Sequence, residues 1–130
     1  MVPFKKILVP FSGLPLSDAL FSPACTMAQA MSAELILLRI EPPLREKNGE
    51  RLYSELKALR GQLHDCSVPV SIDTVQGAAE DAILVYANEN SVDLIVMPRP
   101  SGDKDDEATA ERVFHKAPCA TLVIREHLQA

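Results

Sequence analysis

The chain of 130 residues has no tryptophan, two tyrosines and four phenylalanines, so the aromatic side chains that would sandwich a flavin are scarce. Positive charge is also in deficit, with 13 lysines and arginines against 18 aspartates and glutamates and a net charge of −5. Because neutralisation of phosphate by cations supplies most non-specific nucleic-acid affinity, this balance argues against DNA or RNA as a partner. No apolar run approaches the ~20 residues of a membrane-spanning helix, so we expect no membrane association.

Cysteine is scarce as well. The three cysteines, Cys25, Cys66 and Cys119, form no C-x-x-C pair, and an odd number cannot build an even disulfide framework. This usage is typical of a reducing compartment, so we expect a cytoplasmic protein with structural thiols. Lys5 and Lys6 precede an apolar run, but Pro10 interrupts it, which is unlike a signal peptide.

Apolar residues are abundant. They make up 47% of the chain against 24% charged residues, a mixture typical of globular proteins. A chain of this length corresponds to one domain, because single domains usually contain about 100–200 residues. We therefore expect residues 1–130 to form a single domain.

Short apolar runs rich in β-branched residues predict five β-strands, at residues 5–11, 34–40, 68–75, 92–97 and 119–125. Between them, apolar residues recur every three or four positions and predict four amphipathic helices, at about residues 15–31, 45–65, 78–90 and 105–117. Strands that alternate with helices and read as nearly continuous apolar runs indicate an α/β fold whose parallel sheet is covered by helices on both faces.

Two helices carry more detailed predictions. In the first, the apolar stripe is expected to contain Leu20, Ala24, Met27, Ala28 and Met31. Pro23 is expected to introduce a kink in this helix because it removes an internal hydrogen bond. In the fourth, the buried stripe is expected to contain Ala110, Val113, Phe114 and Ala117. Open parallel sheets bind ligands beyond the carboxyl ends of their strands, where strand order reverses, so the loops after strands one, two and four are the candidate functional region.

No residue pattern indicates catalysis or metal binding. The histidines, His64, His115 and His127, are scattered and lack zinc-ligand spacing. The acidic run at 103–107 lacks the glycine and distal glutamate of a calcium loop, and no base is paired with a cysteine. We expect no catalytic residue and no metal site.

Five stretches, in this order and at this spacing, resemble the universal stress protein family. They are KILVP (6–10), AELILL (33–38), GAAEDAI (77–83), VDLIVM (92–97) and AERVFHKAPC (110–119). The resemblance implies a Rossmann-like, adenine nucleotide alpha hydrolase-like sheet of five strands in the order 3-2-1-4-5, and a cytoplasmic, stress-related role. It also implies a homodimer formed by antiparallel pairing of the fifth strands, through Thr121, Leu122, Val123 and Ile124.

Many members of that family bind ATP or AMP through the pattern Gly-x2-Gly-x9-Gly-Ser/Thr after the fourth strand. Here Pro98 and Ser101 stand at the first two glycines, and Glu107 and Ala108 stand at the last two positions. Five residues, 102–106, separate Ser101 from Glu107 where the family pattern has nine. The aspartate that commonly follows the first strand is replaced by Ser12.

These departures all disfavour phosphate. Pro98 and Pro100 have no amide hydrogen to donate. The acidic run at 103–107 crowds the start of the fourth helix, whose positive dipole end would otherwise attract an anion. A carboxylate roughly 6 Å from a phosphate oxygen repels it by about 1–3 kcal/mol at an intermediate effective dielectric.

Three hypotheses follow. The first, which we favour, is a non-enzymatic homodimeric stress protein that has lost the ATP motif, needs no cofactor and acts through contacts with another protein. The second is a member that binds ATP or AMP with Mg²⁺ through a rewritten loop containing Arg99, Ser101, Lys104 and Thr109, with slow ATP hydrolysis as an added activity. The third is a module that binds a less charged small molecule in the strand-end crevice.

A bound nucleotide would be expected to contact Pro10, Ser12, Ile40, Met97, Arg99, Ser101 and Thr109. Ile40 and Met97 stand at strand ends that line the adenine pocket in nucleotide-binding relatives. Core packing explains both residues equally well.

Overall fold

The computed structural model describes residues 4–11, 18–41, 57, 60–61, 66–98 and 104–124, with the backbone alone at 18–19, 98 and 104–107. The strands are β1 (Lys6–Phe11), β2 (Glu34–Glu41), β3 (Val70–Gln76), β4 (Leu94–Pro98) and β5 (Ala120–Ile124). The helices are α1 (Asp18–Met31), α2 (Ala79–Glu89) and α3 (Lys104–Lys116). Most of the helix predicted at 45–65 lies outside the described residues, although Lys57, Arg60 and Gly61 within it are helical.

The five strands form one parallel sheet in the order β3-β2-β1-β4-β5, which confirms the predicted fold. β1 lies at its centre and pairs with β2 from Lys6↔Glu34 to Phe11↔Arg39. Every strand begins and ends within two residues of its predicted bounds. The prediction succeeded because each strand is a short, β-branched apolar run bounded by turn residues or charged residues.

The sheet is buried on both faces, in two separate clusters. Since side chains alternate along a strand, odd-numbered residues of β1 and β2 face α1, and even-numbered residues face α2 and α3. The α1 cluster contains Ile7, Val9, Phe11, Leu20, Phe21, Ala24, Cys25, Ala28, Ala33, Leu35, Leu37, Leu94 and Val96. The opposite cluster contains Leu8, Ile36, Leu38, Ile40, Ile83, Ala87, Val92, Ile95, Met97 and Val113. This two-sided burial explains why the central strands are apolar at nearly every position.

Helix α1 presents the predicted stripe to the sheet, with Leu20, Ala24 and Ala28 buried and two methionines packed at its edge. The helix is continuous through Pro23. One turn later, the Thr26 hydroxyl donates a hydrogen bond of 3.0 Å to the carbonyl oxygen of Ser22. The kink expected at Pro23 stays a prediction.

The cysteine prediction was wrong, because Cys25 and Cys66 form a disulfide and only Cys119 is free. Their Cα atoms lie 6.0 Å apart although 41 positions separate them in sequence. An odd number of cysteines excludes complete pairing but not a single bond. The fold supplies the proximity, because α1 and the segment that leads into β3 pack on the same face of the sheet.

The prediction that Phe114 is buried was also wrong, since 44% of this residue is exposed. Helix α3 turns the stripe centred on Val113 toward the sheet, and Phe114 lies about 100° further around the helix. The opposite flank of α3 carries Arg112 and Lys116, which contact α2. Phe114 therefore projects from the side of α3 that is turned away from α2.

The importance of the core can be tested with two valines that differ in burial. Val113 is 0% exposed on α3, whereas Val85 is 54% exposed on α2. We expect Val113→Ala to lower the free energy of unfolding by about 2 kcal/mol, because two buried methyl groups are lost and a cavity remains. The same substitution at Val85 should leave stability unchanged or slightly raised, since alanine is the better helix former. Urea unfolding measures both, and equal losses would contradict the assigned burial.

Candidate functional site

At the carboxyl edge of the sheet, pairing of β1 with β4 ends earlier than pairing of β1 with β2. β1 and β4 pair at Ile7↔Leu94 and Leu8↔Ile95, whereas β1 stays paired with β2 as far as Phe11. Pro10 has no amide hydrogen to donate to a neighbouring strand. Strand order reverses between β1 and β4, the position at which open parallel sheets bind ligands. The carboxyl ends of β1 and β4 are therefore the candidate site.

Three apolar residues span this edge and form what we call the apolar row: Ile40 on β2, Pro10 on β1 and Met97 on β4. All three are buried. Ile40 and Met97 belong to the cluster that packs against α2 and α3, with β1 between their strands. Pro10 pairs with Leu38 and Ile40 lies two residues further along β2, so Ile40 and Met97 are further apart than the ~10 Å of two strand spacings. Core packing accounts for both residues in this structure.

The other predicted site residues are divided between described and undescribed parts of the chain. Ser12, Arg99 and Ser101 lie outside the described residues, so their roles stay predictions. Thr109 lies on α3 and is half-buried.

Helix α3 begins at Lys104, close behind β4, which ends at Pro98. Asp105, Asp106 and Glu107 therefore occupy its first turn, and we refer to these three residues as the acidic turn. Carboxylates in a first turn complement the positive end of the helix dipole, so the local sequence explains why the helix begins here. The same position is where an anionic ligand would meet the free amides of a helix N-terminus.

A polar pair at the end of β2 was not identified from the sequence. Arg39 and Glu41 form an ion pair through Arg39 Nη1 and Glu41 Oε1, and both side chains are largely buried. They flank Ile40, so strand alternation places them on the α1 face, opposite the apolar row. The sequence does contain a signal for this ion pair, because a charged residue lies on each side of Ile40 at the end of an otherwise apolar strand.

Helices α2 and α3 are joined by a second polar group that the sequence did not reveal. Arg112 Nη1 lies 2.9 Å from Glu80 Oε1, and Lys116 Nζ lies 3.4 Å from Glu80 Oε2. The hydrogen bond from Arg112 is the main cause that lowers the pKa of Glu80 below its usual range. Glu80 lies in the first turn of α2, where the helix dipole also favours a carboxylate.

Tyr86 connects α2 to the edge strand β3. Burial is the main cause that raises its pKa to about 12, and a side-chain hydrogen bond with Asp73 adds to the shift. Tyr86 therefore stays protonated throughout the physiological range. Together with Glu80, it fixes α2 between β3 and α3.

The described residues offer no activated nucleophile or metal cluster. Burial, with a smaller effect from the nearby Asp93 carboxylate, raises the pKa of the Cys119 thiol, which makes it a poor nucleophile. Within the part of the chain that the structure covers, no three His, Cys, Asp or Glu side chains gather as metal ligands. Across the same residues, no helix combines the length and apolar character needed to span a membrane.

Strand β5 forms one edge of the sheet and contains the four residues predicted to make the dimer interface. It pairs only with β4, through Ile95↔Thr121, Val96↔Leu122, Met97↔Val123 and Pro98↔Ile124, within the described part of the sheet. Leu122 is 38% exposed, and the other three are half-buried. An edge strand of this kind carries backbone groups that another strand can pair with.

The chain was compared with models of protein families and with curated proteins. The profile described as the universal stress protein family matches residues 3–125. No curated protein matches the chain significantly.

Three solved structures illustrate the similarity of fold. Universal stress protein UspA from Lactobacillus plantarum is 22% identical, with a TM-score of 0.72 over 95% of this chain and 99% of that one. A universal stress protein from Archaeoglobus fulgidus in complex with dAMP is 14% identical, with a TM-score of 0.71 over 95% and 99%. A family protein from Arabidopsis thaliana with AMP bound is 12% identical, with a TM-score of 0.64 over 95% and 92%. At these identities the likeness concerns the fold.

The acidic turn yields a test of anion exclusion. We expect Asp105→Asn with Glu107→Gln to strengthen ATP binding by at least about tenfold, because each carboxylate repels a nearby phosphate by about 1–3 kcal/mol. The matched control, Glu89→Gln with Glu111→Gln, removes the same net charge at a distance from the carboxyl edge and should have little effect. Calorimetric titration with ATP measures both variants, and equal responses would contradict exclusion by the acidic turn.

Proposed function

Because the chain belongs to the universal stress protein family, we propose that it is a non-enzymatic, homodimeric stress-response protein that acts through contacts with another protein and does not bind ATP. The observation that carries this proposal is the acidic turn at the start of α3. The amides of this helix N-terminus are the groups that would hold phosphate. In this proposal, the carboxylates of Asp105, Asp106 and Glu107 complement the positive potential of these amides, because all three residues stand in the first turn.

The connection between β4 and α3 supports the same conclusion. Five residues, 99–103, join Pro98 to Lys104. Pro98, the last residue of β4, and Pro100, within the connection, have no amide hydrogen to donate, and glycine occurs in the connection once, as Gly102. A phosphate-binding loop needs several backbone amides that approach the anion closely. This connection therefore has few backbone amide donors and few glycines that would let the backbone approach a phosphate.

The location that we propose is the cytoplasm, on the basis of family membership. Cysteine usage no longer supports a reducing compartment, because Cys25 and Cys66 are bonded. The proposal therefore rests on the family alone.

The apolar row favours a second candidate function, the binding of a less charged small molecule such as a nucleoside. In this candidate function, Pro10, Ile40 and Met97 would form the apolar side of the ligand site, at the edge where pairing between β1 and β4 ends. An uncharged ligand would avoid repulsion by the acidic turn. The AMP and dAMP complexes of the similar structures from Arabidopsis thaliana and Archaeoglobus fulgidus suggest adenosine as the probe.

Calorimetry of nucleotide-free protein distinguishes the candidates. We expect no saturable binding of ATP with Mg²⁺ at micromolar concentrations, because the phosphates would meet the acidic turn. Saturable binding of adenosine without binding of ATP would favour the second candidate. Micromolar binding of ATP would contradict both.

The proposed dimer would cover the exposed edge of β5. Two copies related by a two-fold axis can pair their β5 strands antiparallel, so that the same surface is used on each copy. Such pairing would satisfy backbone groups at the sheet edge and bury Leu122. The arrangement would also extend the parallel sheet of each copy across the interface.

Sedimentation velocity tests the interface. We expect Leu122→Lys to convert the dimer to monomer, because it places a charge at the centre of the proposed contact. Val85→Lys, which introduces the same charge at another exposed apolar residue, should leave the dimer intact. Circular dichroism confirms that both variants are folded. A dimer that survives Leu122→Lys would place the interface elsewhere.

A further inference from the structure

The Cys25–Cys66 disulfide joins two elements on one face of the sheet. Cys25 lies in the middle of α1, is 8% exposed and belongs to the α1 cluster. Cys66 precedes β3, is half-buried and packs against the same cluster. The Cα separation of 6.0 Å lies within the range that a disulfide can bridge.

We propose that this disulfide is reversible. Under oxidising conditions it joins α1 to the segment that precedes β3, and under reducing conditions it opens and α1 becomes more mobile. The released protein stays folded, and the change is confined to the α1 face. The bond would thus act as a redox-sensitive device that alters the mobility of one helix.

The proposal requires a fold that persists when the bond is open. Most of the apolar residues that bury the two faces of the sheet are residues other than Cys25 and Cys66. Disulfides become essential mainly in domains too small to form an adequate core, which is not the case for a chain of 130 residues. A free cysteine packs well as a small apolar residue, so the thiol of Cys25 fits its buried position.

The two joined elements are attached to the sheet in different ways. β3 is held to β2 by a continuous ladder from Leu35↔Val70 to Glu41↔Gln76. Helix α1 has no such ladder and contacts the sheet through its side chains. At the same junction, Gln29 Nε2 donates a 2.9 Å hydrogen bond to Ser67 Oγ at an exposed position. Opening the disulfide should therefore loosen α1 and leave β3 in place.

The opposite face should be unaffected by the bond. Its cluster of Ile83, Ala87, Val113 and neighbouring strand residues contains neither bonded cysteine. The free thiol, Cys119, packs against that cluster. This separation provides an internal control within the molecule.

The redox partner is a low-molecular-weight disulfide of the glutathione class. The half-buried Cys66, as the thiolate, attacks one sulfur of the reagent and releases one thiol. The Cys25 thiolate then attacks the Cys66 sulfur and releases the second thiol. Two protein thiols and one reagent disulfide thus yield one protein disulfide and two reagent thiols. Two electrons and two protons pass to the reagent, and the reverse sequence opens the bond.

The first experiment measures whether the bond is reversible. Folded wild-type protein and the Cys119→Ser control are equilibrated in buffers of varied reduced-to-oxidised glutathione ratio, quenched with acid and alkylated. Mass spectrometry then counts and locates the free thiols. We expect Cys25 and Cys66 to convert together in both proteins. Thiols that stay free in excess oxidised glutathione, or a bond that stays closed in excess reduced glutathione, would overturn the proposal.

The second experiment measures where reduction acts. Hydrogen exchange of oxidised and reduced protein should show amides of α1 exchanging at least about tenfold faster after reduction, with those of β4 and α3 unchanged. Cys25→Ala with Cys66→Ala should reproduce the reduced pattern. Should that variant fail to fold, the reduced wild-type protein still decides the outcome. Equal exchange in both states, or a general increase across α1 and α3, would contradict the proposal that reduction acts on α1 alone.

Discussion

Burial of the sheet on both faces is the constraint on which the rest of the structure depends. β1, β2 and β4 can remain apolar at nearly every position only because α1 covers one face and α2 and α3 cover the other. This arrangement leaves the strand ends as the places where polar chemistry can occur. Strand order reverses between β1 and β4, so the carboxyl ends of these two strands become the natural ligand-binding position.

That position combines two features with opposite consequences for a nucleotide. Pro10, Ile40 and Met97 are buried apolar residues at this edge, and in the second candidate function they would form the side of the site that contacts an adenine ring. The residues of the acidic turn stand in the first turn of α3, the helix end that would hold the phosphates. In our proposal, the chain keeps the architecture of a nucleotide site and has lost its affinity for anions. The edge strand β5 is then the proposed surface for pairing with a second copy.

The sequence was sufficient to predict features that depend on local pattern. Strand bounds, the buried stripe of α1 and the strand-end positions of Ile40 and Met97 all follow from apolar periodicity and turn residues. The strand order came from the family resemblance.

Features that depend on distant residues meeting in space were missed. Cys25 and Cys66 are 41 positions apart, and Glu80 meets Arg112 from another helix. The prediction that Phe114 is buried failed for a related reason. Apolar periodicity indicates that a helix has an apolar stripe, but the packing of the helix on the sheet decides its rotation about its axis and therefore which residues are buried.

The exclusion of phosphate from the carboxyl edge is tested most directly by NMR titration of isotope-labelled, nucleotide-free protein with ATP and Mg²⁺. Backbone amides of residues 104–108 report on the N-terminus of α3, and amides of α2 serve as an internal reference. We expect the resonances of residues 104–108 to show no saturable shift as ATP is added. Saturable shifts confined to those amides would show that the helix end holds phosphate, and would contradict the proposed loss of nucleotide binding.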